Sequence, residues 1–240
     1  VEIELNKIYN EDCIVTMKKM QDKSIDYIIT SPPYNFGKDA IHGVDAKYTD
    51  YKDDLTQEQY FEWQKKLIIE MLRVTKKHIF YNIQMISGNK IALFKLIGYF
   101  AENIKELMIW DKLQGEPAML QGVLNSVYEL IIIFSNDEPQ KRVFSDVEWR
   151  GTQDNIIRNK KNFNNKINHF AVMPLNLPRK LIAIWSKQND IIYDPFMGSG
   201  TTAIACVLEK RNFIGSEISK EYFDIAVNRI NNETAQTKLF

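Results

Sequence analysis

The sequence predicts an α/β protein built on a doubly wound, mostly parallel sheet, and three observations carry that expectation. Short apolar, β-prone runs alternate with stretches of helical periodicity along the chain. One run, Ile191-Ile192-Tyr193, enters a Gly-rich turn, Asp194-Pro195-Phe196-Met197-Gly198-Ser199-Gly200-Thr201-Thr202, which opens a buried helix over 203–208. Another run, 25–30, stops abruptly at Ser31-Pro32-Pro33-Tyr34-Asn35. Strand, tight turn and helix is the arrangement in which bare backbone approaches a nucleotide-like ligand.

Taken in order, residues 5–9 read as a first strand, Asn10-Glu11-Asp12-Cys13 as a loop, and 14–20 as a helix. The second strand, 25–30, ends because two consecutive prolines cannot donate to a sheet, and they stiffen a polar-aromatic tip. Residues 36–54 are polar and aperiodic, which predicts a loop, and one this long beside a site reads as a lid. Thr56 and Gln59 form a capping box for a helix running to about Lys76, with Tyr60, Trp63, Leu67, Ile68, Met71 and Val74 at helical spacing. A strand over 79–83, a helix over 90–97, and strands over 107–110 and 128–134 follow. A helix from about Pro174 through Trp185 leads into the strand before the Gly-rich turn. A strand at 213–215 ends at Glu217, and a helix carrying Tyr222, Phe223, Ala226 and Ile230 completes the pattern.

Composition narrows the class. The 240 residues, 45% hydrophobic and 26% charged, suit one soluble domain with a large core. No apolar run approaches membrane-spanning length, and Val1-Glu2-Ile3-Glu4 is not the start of a signal peptide. Cys13 and Cys206, far apart among apolar neighbours, read as reduced intracellular thiols. His42, His78 and His169 form no metal-ligand spacing with them, so no metal site is expected. The formal charge is zero, but its distribution is uneven. Between Asn155 and His169 stand Arg158, Lys160, Lys161 and Lys166, no acidic residue, and interleaved asparagines. Such a segment is either a solvated face or a phosphate-contacting surface.

The turn can be read more closely. Gly198 and Gly200 let the chain turn without a Cβ in the way. Glu217 stands 19 residues past Gly198, near the spacing of an acid that holds ribose hydroxyls. Thr201 follows Gly200 where a Walker loop needs Lys, which argues against a nucleoside triphosphatase. Ala203 stands where the dinucleotide fingerprint has its third glycine, a tolerated exchange. A ligand-free turn, with Asp194 as a turn former, Glu217 as an ordinary carboxylate and His169 as a structural histidine, is the alternative.

Taken together, Thr30-Ser31-Pro32-Pro33-Tyr34 and Asp194–Thr202 resemble the catalytic (D/N/S)PPY and cofactor motifs of the amino-group DNA methyltransferases that use S-adenosylmethionine. The order, catalytic motif first and cofactor motif last, is similar to the β-class. His169-Phe170-Ala171-Val172-Met173-Pro174 is similar to the motif preceding the cofactor turn, Asn10-Glu11-Asp12-Cys13 to the piece that closes over the adenosine end, and Trp110-Asp111-Lys112 to a familiar strand ending. The resemblance implies a Rossmann-like methyltransferase fold with a catalytic half over 1–134, a target-recognition insertion over 135–168 and a cofactor half over 169–240. It also implies cofactor contacts from Asp12, Cys13, Ser31, His169, Pro174, Asp194, Phe196, Gly198, Ser199, Gly200, Thr201, Thr202 and Glu217. Ser31, Pro32, Pro33 and Tyr34 would act on the base, and Arg158, Lys160, Lys161 and Lys166 would hold double-stranded DNA.

The chemistry agrees with that picture. The lone pair of an exocyclic amine is delocalised into its ring, so an acceptor on the N–H, from Ser31 Oγ and the Pro32 carbonyl, raises electron density on the attacking nitrogen. Tyr34 would stack on a base extruded from the duplex. The sulfonium methyl is already activated, leaving alignment to the protein, and neither cysteine is needed as a nucleophile. Ser31 in place of Asp leans, by the family's usage, toward cytosine N4, with adenine N6 as the alternative. An idle DNA-binding subunit and an NAD-dependent oxidoreductase are further readings, the latter lacking an acid/base set. A companion restriction endonuclease, a homodimer, and a cytoplasmic, nucleoid-associated location in a prokaryote or phage are expected on the same grounds.

Overall fold

The computed structural model describes residues 3–37, 53–116, 121–137, 141–160 and 173–237, with the side chains of 116, 236 and 237 excepted. Along the chain run β1 (Lys7–Tyr9), α1 (Cys13–Lys18), β2 (Ile25–Thr30), α2 (Gln57–Val74), β3 (Thr75–Ile83) and α3 (Lys90–Tyr99). After a 3-10 turn at Ala101–Asn103 come β4 (Ile104–Glu116), β5 (Ser126–Ser135), β6 (Ile156–Arg158) and α4 (Asn176–Trp185). β7 (Ile191–Asp194), α5 (Thr201–Leu208), β8 (Asn212–Ser216) and α6 (Lys220–Thr237) follow.

The strands form one sheet in the order β1-β8-β7-β2-β3-β5-β4-β6. Only β5 runs against its neighbours β3 and β4; the other pairings are parallel. The expected doubly wound, mostly parallel sheet is therefore present. Both faces are covered. Met17, Leu67, Ile68, Met71 and Leu93 of α1, α2 and α3 pack on Ile28, Ile79, Tyr81 and Tyr193. Leu181, Trp185, Ala203, Ala205 and Ile230 of α4, α5 and α6 pack on Tyr27, Ile29, Phe80, Ile133 and Ile192. Successive β2 residues thus face opposite layers, as the period of two requires, and this explains the strand's unbroken apolar character.

Several elements differ from expectation at their ends for local reasons. The capping box of α2 is formed, Thr56 Oγ1 accepting from Gln59 N and Gln59 Oε1 from Thr56 N. The helix stops at Val74, not near Lys76. β-branched Thr75 is extended there, its Oγ1 donates to the Met71 carbonyl, and Lys23 Nζ takes the Leu72 and Thr75 carbonyls. The strand β6 inside the basic segment was hidden by its polar flanks; it pairs Ile109–Asp111 of β4 with Ile156–Arg158. His78 is a core residue whose Nε2 lies 3.0 Å from Asp146 Oδ1, and Tyr27 donates to the other oxygen of that carboxylate at 2.8 Å. The proposed lid over 36–54 falls mainly outside the described residues. Its base is closed by Gly37 N donating to the Asp53 carbonyl and by Asn35, whose amide pairs with both backbone groups of Leu55.

Candidate active site

The two motifs meet where the winding of the sheet reverses. β2 and β7 are parallel neighbours, pairing Tyr27 with Ile192 and Ile28 with Tyr193. From β2 the chain goes by α2 to β3 on one side; from β7 it goes by α5 to β8 on the other. The carboxyl ends of two strands that part in this way bound the crevice where open α/β sheets take ligands.

Asp194 fastens the two ends. Its Oδ1 accepts from Thr30 Oγ1 at 2.9 Å and Phe196 N at 3.0 Å, and its Oδ2 from Thr202 Oγ1 at 2.6 Å. Burial outweighs these bonds and pushes the carboxyl up to about 6. Both oxygens are used within the protein, so Asp194 shapes the turn. The turn itself needs glycine: Gly198 has φ +52° and Gly200 φ +87°, and a Cβ on Gly200 would sit 3.1 Å from Ala226 Cα. Arg229 of α6 donates to the Ser199 backbone and hydroxyl oxygens.

Glu217 follows β8. Its Oε2 accepts from Gly198 N at 2.8 Å and its Oε1 from Ser219 N at 2.9 Å, while burial raises its pKa. Asn10 donates to the Glu217 and Ile218 carbonyls, which brings the 10–13 loop to the same edge. There Asp12 caps α1 through Ile14 N, and Cys13 is buried with its thiol pKa raised by desolvation. Thr201 Oγ1 is buried without a protein partner at the mouth of α5. Phe196 lies edge-on to Trp63 of α2 at 5.9 Å, Trp63 is tilted against Tyr60 at 5.8 Å, and Tyr60 Oη donates to the Pro33 carbonyl at 2.7 Å. This aromatic wall joins the Gly-rich turn to the Ser-Pro-Pro tip.

At that tip Tyr34 is half-buried, with Phe36 beside it at 5.9 Å. Its hydroxyl lies 2.8 Å from Ser31 Oγ, 2.8 Å from Glu129 Oε2 and 2.8 Å from Asn82 Nδ2. Burial holds the phenol well above its usual pKa. Glu129 on β5 is also approached by Asn82 at 2.7 Å and Lys112 at 3.4 Å, all three side chains being buried. Asn82, Lys112 and Glu129 were not expected as site residues, and Tyr60 and Trp63 were expected only as core.

The remaining expected residues are more scattered. Pro174 is buried ahead of α4, where its carbonyl accepts from Leu177 N. Arg158 and Lys160 are exposed at the carboxyl end of β6, on the same sheet edge as Ser31 but four strands away, about 19 Å at ordinary strand spacing. His169, Lys161 and Lys166 lie outside the described residues.

A crevice at the winding reversal, a positive-φ glycine turn and a Ser-Pro-Pro-Tyr tip together make the carboxyl edge of this doubly wound sheet a candidate nucleoside-binding site. The sequence narrows this to one family: residues 25–228 match the N6/N4 DNA methylase family, and the chain belongs to it. It is 28% identical over 276 residues to the type II methyltransferase M.BglII of Bacillus subtilis, covering 98% of this chain and 72% of that one. It is also 28% identical over 254 residues to the DNA adenine methyltransferase YhdJ of Escherichia coli K12, covering 95% and 83%. Among solved structures, the cytosine-N4-specific PvuII DNA methyltransferase superposes with a TM-score of 0.74 at 16% identity, over 96% of this chain and 91% of that one.

Proposed function

We propose that this DNA methyltransferase moves the methyl group of S-adenosylmethionine to the exocyclic N4 of a cytosine extruded from double-stranded DNA. The observation that carries the reading is the Ser31 tip fastened, through Thr30 and Asp194, beside the Gly-rich turn. The residues present fit the cofactor. Thr201 Oγ1 is an unspent hydrogen-bonding group at the turn, Gly198 and Gly200 leave the backbone bare, and Glu217 keeps acceptor capacity for ribose hydroxyls. Phe196, Ser199 and Thr202 shape this cradle, with Asp12, Cys13 and Pro174 on its flanks. When bound, the cofactor supplies an electrophilic methyl group on sulfur.

The chain's own groups then position the base. Ser31 Oγ and the Pro32 carbonyl accept from the amine, turning its lone pair toward the methyl, and Pro33 stiffens the tip that presents them. The exposed part of the Tyr34 ring stacks on the extruded base. Arg158 and Lys160 engage phosphates along the same edge, within a recognition segment over 135–168. Ser31 in place of Asp supports cytosine. The relationship to an adenine methyltransferase favours N6 as the second reading. A companion restriction nuclease, a homodimer and a cytoplasmic setting fit the same proposal.

The test is to incubate the protein with methyl-labelled S-adenosylmethionine and mixed genomic DNA, digest to nucleosides and separate them. Label on cytosine N4, lost in Ser31→Ala with cofactor binding retained, is the expected result. Label on adenine would replace the base assignment.

A further inference from the structure

We propose that Glu129, through Tyr34, is the positioning residue that makes Ser31 a hydrogen-bond acceptor and takes up the proton released by the substrate amine. The inference rests on transfer to an exocyclic amine, as proposed above.

A carboxylate can only accept, so it sets the direction of the bonds that end on it. Tyr34 must give its proton to Glu129 Oε2, at 2.8 Å. The Tyr34 oxygen is then left to accept, so the 2.8 Å bond to Ser31 runs from the serine hydroxyl to the tyrosine. With its proton committed inward and only a long 3.4 Å contact from Asn82 Nδ2, Ser31 Oγ retains acceptor capacity for the amine. A donor at Tyr34 would have turned the serine hydroxyl against the substrate N–H.

Asn82 is oriented by the same carboxylate. Its Nδ2 donates to Glu129 at 2.7 Å and Tyr34 at 2.8 Å, because the amide oxygen facing a carboxylate would be repelled. The consequence is a buried Asn82 Oδ1 with no protein partner, a second unspent acceptor in the same cluster as Ser31. Lys112 Nζ, 3.4 Å from Glu129 Oε1 and 3.2 Å from Gln84 Oε1, balances the buried charge.

The proton balance follows. Nitrogen forms a bond to the methyl carbon as the carbon–sulfur bond breaks, and the electron pair of that bond stays on sulfur. The nitrogen is left with one proton in excess. It passes to Ser31 Oγ as the serine proton passes to Tyr34 and the tyrosine proton to Glu129, which ends as the neutral acid.

The experiment measures single-turnover methyl transfer with DNA and labelled cofactor prebound, alongside the dissociation constant of each. Glu129→Gln and Tyr34→Phe are each expected to slow transfer about 100-fold, with both dissociation constants within about twofold of the parent. The double variant is expected to be no slower than either single one, because both break one chain. Parent-like transfer in either variant, or losses that multiply in the double variant, would overturn the proposal. Should Glu129→Gln fail to fold, Tyr34→Phe removes a single oxygen, leaves Glu129 on Asn82 and Lys112, and decides alone. Parent label on adenine overturns only the cytosine assignment, since either amine must shed a proton. A parent that labels no base overturns both.

Discussion

Asp194 is a carboxylate whose hydrogen bonds do not make up for its burial. Thr30, Phe196 and Thr202 all donate to it, yet its pKa stands at about 6 against an ordinary 3.8. The folded form therefore holds its proton more tightly than the unfolded chain. The stabilisation this gives is complete below about pH 4 and is lost as pH rises through 6, a swing of about 3 kcal/mol. Asp194→Asn keeps an acceptor without the charge. Its urea-unfolding free energy should fall less than the parent's between pH 4 and 7, the gap between the two changing by about 3 kcal/mol across that range. Asp194→Ala leaves three donors short of a partner and should cost about 3 kcal/mol at pH 5.

Within the turn between β7 and α5, the two glycines are constrained differently. A Cβ on Gly200 meets the Ala226 backbone, while one on Gly198 meets nothing closer than 3.9 Å. Gly200→Ala should lower thermal stability by at least about 1–2 kcal/mol, from the left-handed conformation alone. Gly198→Ala should unfold closer to the parent yet bind cofactor more weakly, because its Cβ enters space no protein atom fills. Calorimetry and equilibrium binding separate the two effects. The turn was legible in the sequence because glycine spacing and flanking apolar runs are local signals. The Ser-Pro-Pro-Tyr tip was legible for the same reason. Glu129 was not: it sits in an apolar run, and its neighbours depend on the antiparallel register that sets Asn82 opposite Ile131 and Ile83 opposite Leu130. Glu129 inside one strand-like run, with Lys112 two residues past another, was the available signal, since buried charges are rare unless paired. Strand β6 was missed because three residues among asparagines carry no periodicity.

Across the whole molecule, the carboxyl edge of the sheet runs from Glu217 by the Gly-rich turn and Ser31 to Arg158 and Lys160. Its span from Ser31 to β6, about 19 Å, is close to the width of a duplex. Replacing Arg158 and Lys160 with alanine should weaken DNA binding and reduce the slope of log affinity against log salt by about 2, leaving cofactor affinity unchanged. An unchanged slope in a filter-binding titration would place the duplex elsewhere.

The same sheet order has a consequence for how the protein is made. β7 and β8 lie between β1 and β2, so the sheet is filled from its middle by residues 191–194 and 212–216. A nascent chain that has emerged only as far as α4 already contains β1 and β2, but with a gap two strands wide between them. β1 has no neighbour to pair with, and β2 presents an open apolar edge. The ribosome thus releases the Ser-Pro-Pro-Tyr tip long before the strands that hold it in place. During that interval the chain is vulnerable to aggregation.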